Sequence, residues 1–162
     1  MDVRLLTDET IEWDAFVREA PDGSPFHLIA WKRAVQTAFG HRPRYLIALG
    51  PTGIEGVLPL FEVRGLLGGR ALISVPYGVY GGICARTTEA RQALLDSATS
   101  LARRIGARYV ELRHRPQQRM DLPTKSLYVS FSRPISSSED ENLAAIPRKQ
   151  RRMTRQGAKF GL

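Results

Sequence analysis

The sequence predicts an α+β domain: a mixed, mostly antiparallel central sheet flanked by helices and followed by a basic C-terminal helix. Three observations predict it. Two helical apolar patterns precede residue 40, and a third covers 87–105. Between them, three apolar runs at 45–75 are joined by short Gly/Pro turns, which only antiparallel neighbours permit. The 162 residues are 43% hydrophobic and 25% charged, enough to bury one ordinary core.

Val3–Leu6 reads as a short strand. Thr7 or Asp8 is placed to cap a helix from Glu9 to about Glu19, with Ile11, Trp13 and Phe16 as its apolar residues. Pro21-Asp22-Gly23-Ser24-Pro25 is a loop. A second helix over about 28–39 carries Trp31, Val35, Ala38 and Phe39 on one face, and Gly40 stops it. Tyr45–Leu49 and Ile54–Val63 form a hairpin around Gly50-Pro51-Thr52-Gly53, and a turn at 65–70 leads to a third strand, Ala71–Val75. Thr87 or Thr88 caps the clearest helix, whose buried face is Leu94, Ala98, Leu101 and Ile105, and Gly106 ends it. Ala107–Arg113 and Leu127–Phe131 read as further strands. Ser138 and Glu141 form a capping box for a helix toward Ala145, and Pro147 forces a break or restart.

Charge is unevenly placed. Pro147–Leu162 carries six Lys/Arg and no acid, out of a net +8, while residues 1–146 hold 18 basic against 16 acidic residues. Arg148, Arg152, Arg155 and Lys159 share one helical face, and Ile146, Met153 and Phe160 share the opposite one. Such a helix suits an anionic partner: a lipid phosphate, a nucleotide diphosphate, RNA or an acidic membrane surface. A solvated surface face is the plainer reading. Cys84 is the single cysteine and reads as core filler, which excludes an intrachain disulfide framework. The charged N-terminus and the longest uncharged run, broken by Pro76 and three glycines, predict neither a signal peptide nor a membrane span. The expected location is the cytoplasm or the inner membrane face, with peripheral contact only.

No Walker loop, dinucleotide fingerprint, HExxH or CxxC occurs, and no metal site is expected. Three candidate features remain. His114 ends the strand that carries Glu111 and Arg113 on one face; those two form either a structural pair or, through Arg113, an anion contact, with His114 as a polar or acid–base group. Pro76-Tyr77-Gly78-Val79-Tyr80-Gly81-Gly82 offers close backbone approach and two phenol faces, or simply a tight turn. The arginine face of the tail helix is the third. His27 and His41 read as surface or packing residues.

Several segments together resemble one family. They are Phe26-His27-Leu28-Ile29-Ala30-Trp31, Ala38-Phe39-Gly40-His41-Arg42-Pro43-Arg44-Tyr45-Leu46, Gly56-Val57-Leu58-Pro59-Leu60, and Leu72-Ile73-Ser74-Val75-Pro76-Tyr77 with Tyr80-Gly81-Gly82. Tyr109-Val110-Glu111-Leu112-Arg113 belongs with them, and the most specific piece is Ile146-Pro147-Arg148-Lys149-Gln150-Arg151-Arg152-Met153 with Arg155-Gln156-Gly157-Ala158-Lys159. In order and content they resemble FemAB-type proteins, in the branch associated with PEP-CTERM and exopolysaccharide loci. The resemblance implies two GNAT-like lobes per chain and transfer of an acyl or aminoacyl group to an amine. It implies acyl-CoA or aminoacyl-tRNA as donor, with no cofactor held by this chain itself, and an anionic cell-envelope precursor or polysaccharide as acceptor, with tRNA as a further partner.

Family members are about twice this length, so the resemblance implies a first lobe over 1–135, an interlobe-type basic helical segment over 136–162, and an absent second lobe. The isolated chain is then expected to be inactive, with the tail poorly anchored after about Gly157. The resemblance places Trp31, Lys32 and Arg33 near the acceptor cleft and the arginine face of the interlobe helix, Arg148, Arg152 and Arg155, along its anionic side; Tyr77, Tyr80 and Arg113 are substrate-contact candidates on their own residue chemistry. His114 stands where some members place a polar residue near the reacting amine, and no acidic residue occurs there. The alternative class is a non-catalytic binding module for anionic envelope precursors or RNA.

Overall fold

The computed structural model describes residues 1–7, 11–65, 68–115, 122–125 and 129–161. The chain divides into two compact units, Met1–Met120 and Asp121–Leu162.

The first unit runs β1 (Asp2–Leu5), α1 (Ile11–Glu19), α2 (Ile29–Phe39), β2 (Arg42–Pro43), β3 (Leu46–Gly50), β4 (Gly53–Leu58), β5 (Phe61–Arg64), β6 (Arg70–Ser74), β7 (Cys84–Ala85), α3 (Thr88–Ile105) and β8 (Val110–Leu112). All strand pairs are antiparallel except β6 with β8, which α3 connects as a crossover. Helices cover both faces. Trp13, Phe16 and Val17 of α1 and Ile29 and Val35 of α2 bury against Ile47, Val57 and Phe61. Leu94, Ala98 and Leu101 of α3 bury against Leu46, Ala48, Leu58 and Leu72. Successive residues such as Leu46 and Ile47, or Val57 and Leu58, feed opposite cores because strand side chains alternate.

The predicted strand Ile54–Val63 is two strands. Backbone bonds divide the sheet into β1-β3-β4-β7 and β2-β5-β6-β8. The seam falls at Pro59-Leu60 and, on the facing strand, Arg44-Tyr45. Pro59 has no N–H to give the ladder, and Arg44 N–H instead reaches Leu60 O at 2.7 Å. The predicted strand from Ala107 is regular only over Val110–Leu112, because Ala107 N–H turns back to Ala102 O at 2.8 Å and completes the helix cap at Gly106 (φ 68). Thr87 caps α3 by accepting from Ala90 N–H at 3.1 Å, and Gly40 ends α2 in the left-handed region (φ 66). Asp8, part of the predicted α1 cap, and Leu127 and Tyr128 of the last predicted strand lie outside the described residues; Val129–Phe131 is not a strand.

The second unit holds α4 (Glu139–Ala144) and α5 (Arg148–Lys159). Ser138 accepts from Glu141 N–H at 3.4 Å, as the capping box predicts. Arg151 folds back onto Ala144 O (2.7 Å) and Ile146 O (3.0 Å), so this arginine closes the end of α4 across the Pro147 break. Arg148, Arg152 and Arg155 are exposed, as are Met153 and Phe160 on the other face. Among the described residues, no helix is long and apolar enough to cross a membrane.

Candidate functional site

The loop from Val75 to Ile83, after β6, is fixed by the strand that follows α3. Arg113 does most of this. Its Nη1 donates to Val75 O (3.0 Å) and Gly78 O (2.7 Å), and its Nε to Glu111 Oε1 (2.7 Å). Its carbonyl accepts from Gly81 N–H (3.0 Å) and Gly82 N–H (2.8 Å). The Glu111–Arg113 pair anticipated from strand alternation therefore forms, and it serves to hold the loop. His114 follows, and its Nε2 accepts from Ile83 N–H at 3.0 Å, which leaves the ring proton on Nδ1.

A second clamp comes from the other side. Ser24 caps the short turn Pro25–His27, and its hydroxyl also contacts Tyr80 O. His27 Nδ1 lies 2.8 Å from Ser24 Oγ, and Nε2 lies 2.9 Å from Gly82 O. A carbonyl only accepts, so Nε2 carries a proton. Neutral His27 and Ser24 then own two protons for three contacts. Together these groups line a cavity of about 20 Å³, room for one water, bounded by Asp22, Ser24, His27, Tyr80, Arg113 and His114 among others.

Burial lowers the pKa of both histidines. For His114 it falls to about 4, through burial first and the positive charge of Arg91 second. His27 moves the same way by burial, against its bonds to Gly82 and Ser24. Cys84 is pushed up to about 12 by burial, so its thiol is inert core filling as expected. The His114 shift has a defined sign. The folded pKa lies below the ordinary 6.5, so the unfolded chain takes up the proton first as pH falls. The contribution is complete above pH 6.5 and is lost between about 6.5 and 4. His114→Gln, whose amide oxygen can still accept from Ile83 N–H, is expected to flatten this limb in urea melts at stepped pH. An unchanged limb would assign the acid loss elsewhere.

The loop glycines are required by packing rather than by a ligand. A Cβ on Gly82 would overlap the His114 ring, and one on Gly78 would stand 2.8 Å from both Phe26 and Val75. Tyr77 takes the left-handed backbone region (φ 62), which costs a non-glycine residue about 1 kcal/mol. Its ring stacks on Phe39 at 3.9 Å, and its hydroxyl meets His41 Nε2 at 3.1 Å. Tyr80 turns inward beneath the Arg115 guanidinium, 5.6 Å above its ring.

Of the predicted residues, the structure thus brings Tyr80, Arg113 and His114 to one cavity, with Tyr77 on the outer side of the same loop. Trp31 meets the loop through Phe26, its ring edge-on at 4.9 Å, and the buried Nε1–H has no hydrogen-bond partner among the described residues. Lys32 Nζ lies 5.9 Å from the Tyr45 ring centre, and Arg33 is exposed on α2. Arg148, Arg152 and Arg155 belong to the other unit. Ser24, and His27 as a clamp on the loop, were not anticipated. The Ser24-Pro25 cap signature was the available signal, but their partners lie 55 and 56 residues further along.

No protein-family profile matches the chain, and no curated protein sequence matches it. Solved structures do. Residues covering 66% of this chain match FemX with a TM-score of 0.51 and 24% identity, and they span 25% of the FemX chain. An aminoglycoside acetyltransferase from an uncultured soil metagenomic sample matches 83% of this chain and 98% of its own, at 0.54 and 16%. The aminoglycoside antibiotic 6'-N-acetyltransferase AAC(6')-IG from Acinetobacter haemolyticus matches 84% and 100%, at 0.51 and 11%. At these identities the likeness establishes the fold, and that fold is GNAT-like. FemX is among the structures that share it.

Proposed function

We propose that this chain is a GNAT-like lobe of a FemAB-type N-acyl- or aminoacyltransferase acting on an anionic cell-envelope precursor or polysaccharide, as in the PEP-CTERM and exopolysaccharide branch. The observation that carries the reading is the fold, joined to a doubly clamped loop that presents the exposed Tyr77 and Val79. The reaction is attack of an acceptor amine on an activated acyl carbonyl. It needs orientation and oxyanion stabilisation more than a protein nucleophile, which suits a site built of Tyr77, Tyr80, Arg113 and His114. The amides of Tyr77, Val79 and Tyr80 make no hydrogen bond among the described residues and are candidate backbone donors on this loop. Neutral His114, with its Nε2 lone pair already used, positions the loop and is a poor base.

In this reading Trp31, Lys32 and Arg33 border the acceptor, and Arg148, Arg152 and Arg155 form an exposed anion-binding face on the other unit by itself. The donor, acyl-CoA or aminoacyl-tRNA, is handled with a second lobe. The test is transfer of a labelled acyl group from each donor to an amine-bearing, diphosphate-linked aminosugar peptide. The chain is assayed alone and with a second-lobe polypeptide. Transfer that requires both polypeptides is the expected result. The opposing outcome is acceptor binding without transfer under every combination, which would favour the binding-module reading. The exposed basic face of α5 is the observation on that side, and steep salt dependence with RNA would identify it.

A further inference from the structure

A second charged site lies at the other end of β6, and strand register builds it. Arg64 and Arg70 are direct partners in the antiparallel β5–β6 pair. Arg108 N–H donates to Arg70 O at 2.8 Å, continuing back from the parallel pairing of Leu72 with Val110. Arg64 and Arg70, directly opposed, share a face, and Arg108 stands on the next chain segment, just before the regular part of β8 and about one strand spacing of 4.8 Å from Arg70. Arg108 lies along the β5–β6 turn, where a Cβ on Gly69 would stand 3.3 Å from its Cδ.

The row is under-neutralised. Among the described residues, the acid facing it is Glu62, which is only 3% exposed. Its Oε2 is taken by Arg44, at 2.9 Å from Nη2 and 3.3 Å from Nε. Its Oε1 has no hydrogen bond, although Arg64 Nη2 stands at 3.5 Å and Arg70 Nε at 3.8 Å. One carboxylate therefore serves three guanidinium groups, those of Arg44, Arg64 and Arg70, and Arg108 adds a fourth positive charge beside them. The end of α3 adds about half a negative charge, and Arg70 Nη1 meets it at Ile105 O, 3.1 Å away. Like charges set directly opposite across strands destabilise a sheet, and here the protein supplies too little anion to cancel them. The Arg64 and Arg70 side chains are 67% and 43% exposed, so their heads are open to a ligand.

We propose that Arg64, Arg70 and Arg108 form a phosphate-binding site, selective for a phosphomonoester or diphosphate over a singly charged anion. Guanidinium forks match phosphate oxygens bidentately, and a row of forks suits a dianion or a chain of two phosphates. The site is separate from the Val75–Ile83 loop and does not depend on the reading of that loop as a transferase cleft.

The probe is inorganic pyrophosphate, titrated into the full chain by calorimetry at low salt. The background carries Arg148→Gln, Arg152→Gln and Arg155→Gln, which removes three of the six α5 cations. Binding that persists there and weakens at least tenfold on adding Arg64→Gln and Arg108→Gln is the expected result. Both substituted residues are exposed, Glu62 keeps its hydrogen-bonded partner Arg44 in the variant, and retained circular dichroism confirms folding. No binding in the background protein, or binding indifferent to Arg64→Gln and Arg108→Gln, would overturn the proposal. Two further arms separate the sources of phosphate. Co-sedimentation with phosphatidic acid vesicles, lost in the Arg64/Arg108 variant, identifies a lipid headgroup. Pyrophosphate binding without sedimentation identifies a soluble ligand.

Discussion

Arg113→Met is expected to destabilise the first unit by about 3 kcal/mol and to free the Val75–Ile83 loop. The side chain makes three charge-assisted bonds, to Glu111 and to the carbonyls of Val75 and Gly78. Methionine keeps the stem volume and removes all three donors. Hydrogen bonds to charged groups contribute about 1.5–3 kcal/mol each, so three would sum to about 4.5 kcal/mol or more, and partial exposure of this side chain discounts that to about 3 kcal/mol. The backbone bonds from Gly81 and Gly82 to Arg113 O remain, so the fold should persist while loop amides exchange at least tenfold faster. Arg113→Lys should rescue little, because an ammonium lacks the planar fork that spans two carbonyls and a carboxylate. Loop exchange that stays at the wild-type rate would show that the Ser24–His27 clamp holds the loop unaided.

Glu62→Gln is the second large effect, about 3 kcal/mol. Burial raises the pKa of Glu62, but the hydrogen bond and charge of Arg44, with Arg64 and Arg70, outweigh it and hold the carboxyl below its usual range. The carboxylate therefore contributes stability that is present above its unfolded pKa and lost as pH falls through the folded one. Glutamine removes that acid limb and leaves Arg44, half-buried, without its counterion. A paired Glu62→Leu, Arg44→Met variant should recover most of the loss, because removing both charges avoids the cost of stranding one. A paired variant as unstable as Glu62→Gln would point to strand packing rather than charge.

How much of this was legible in the sequence depended on the range of the contacts. The helices α2 and α3 and their glycine stops follow from local pattern and cap chemistry, both within a few residues. The Glu111–Arg113 pair followed from alternation in a single strand. Pro59 was visible, but that it splits one strand into two sheets depends on Arg44 offering its amide from the neighbouring strand. Ser24 and His27 looked like loop and packing residues because their partners, Tyr80 and Gly82, lie far along the chain. The arginine row was hidden for a similar reason. Arg64, Arg70 and Arg108 have no local pattern, and only the β5–β6 register and one backbone hydrogen bond from Arg108 to Arg70 bring their backbones together. The basic tail drew attention by composition, while the body, nearly balanced in sum, concentrates positive charge on one sheet end.

The central claim is that the Val75–Ile83 loop, with the Phe26–Arg33 segment, forms the acceptor surface. Hydrogen–deuterium exchange with and without a diphosphate-linked aminosugar peptide tests it directly, using the Arg64→Gln, Arg108→Gln chain so that phosphate at that row does not contribute. The account predicts slowed exchange over 75–83 and 26–33, abolished by Arg113→Met. Protection confined to α5, with the loop unchanged, would contradict it.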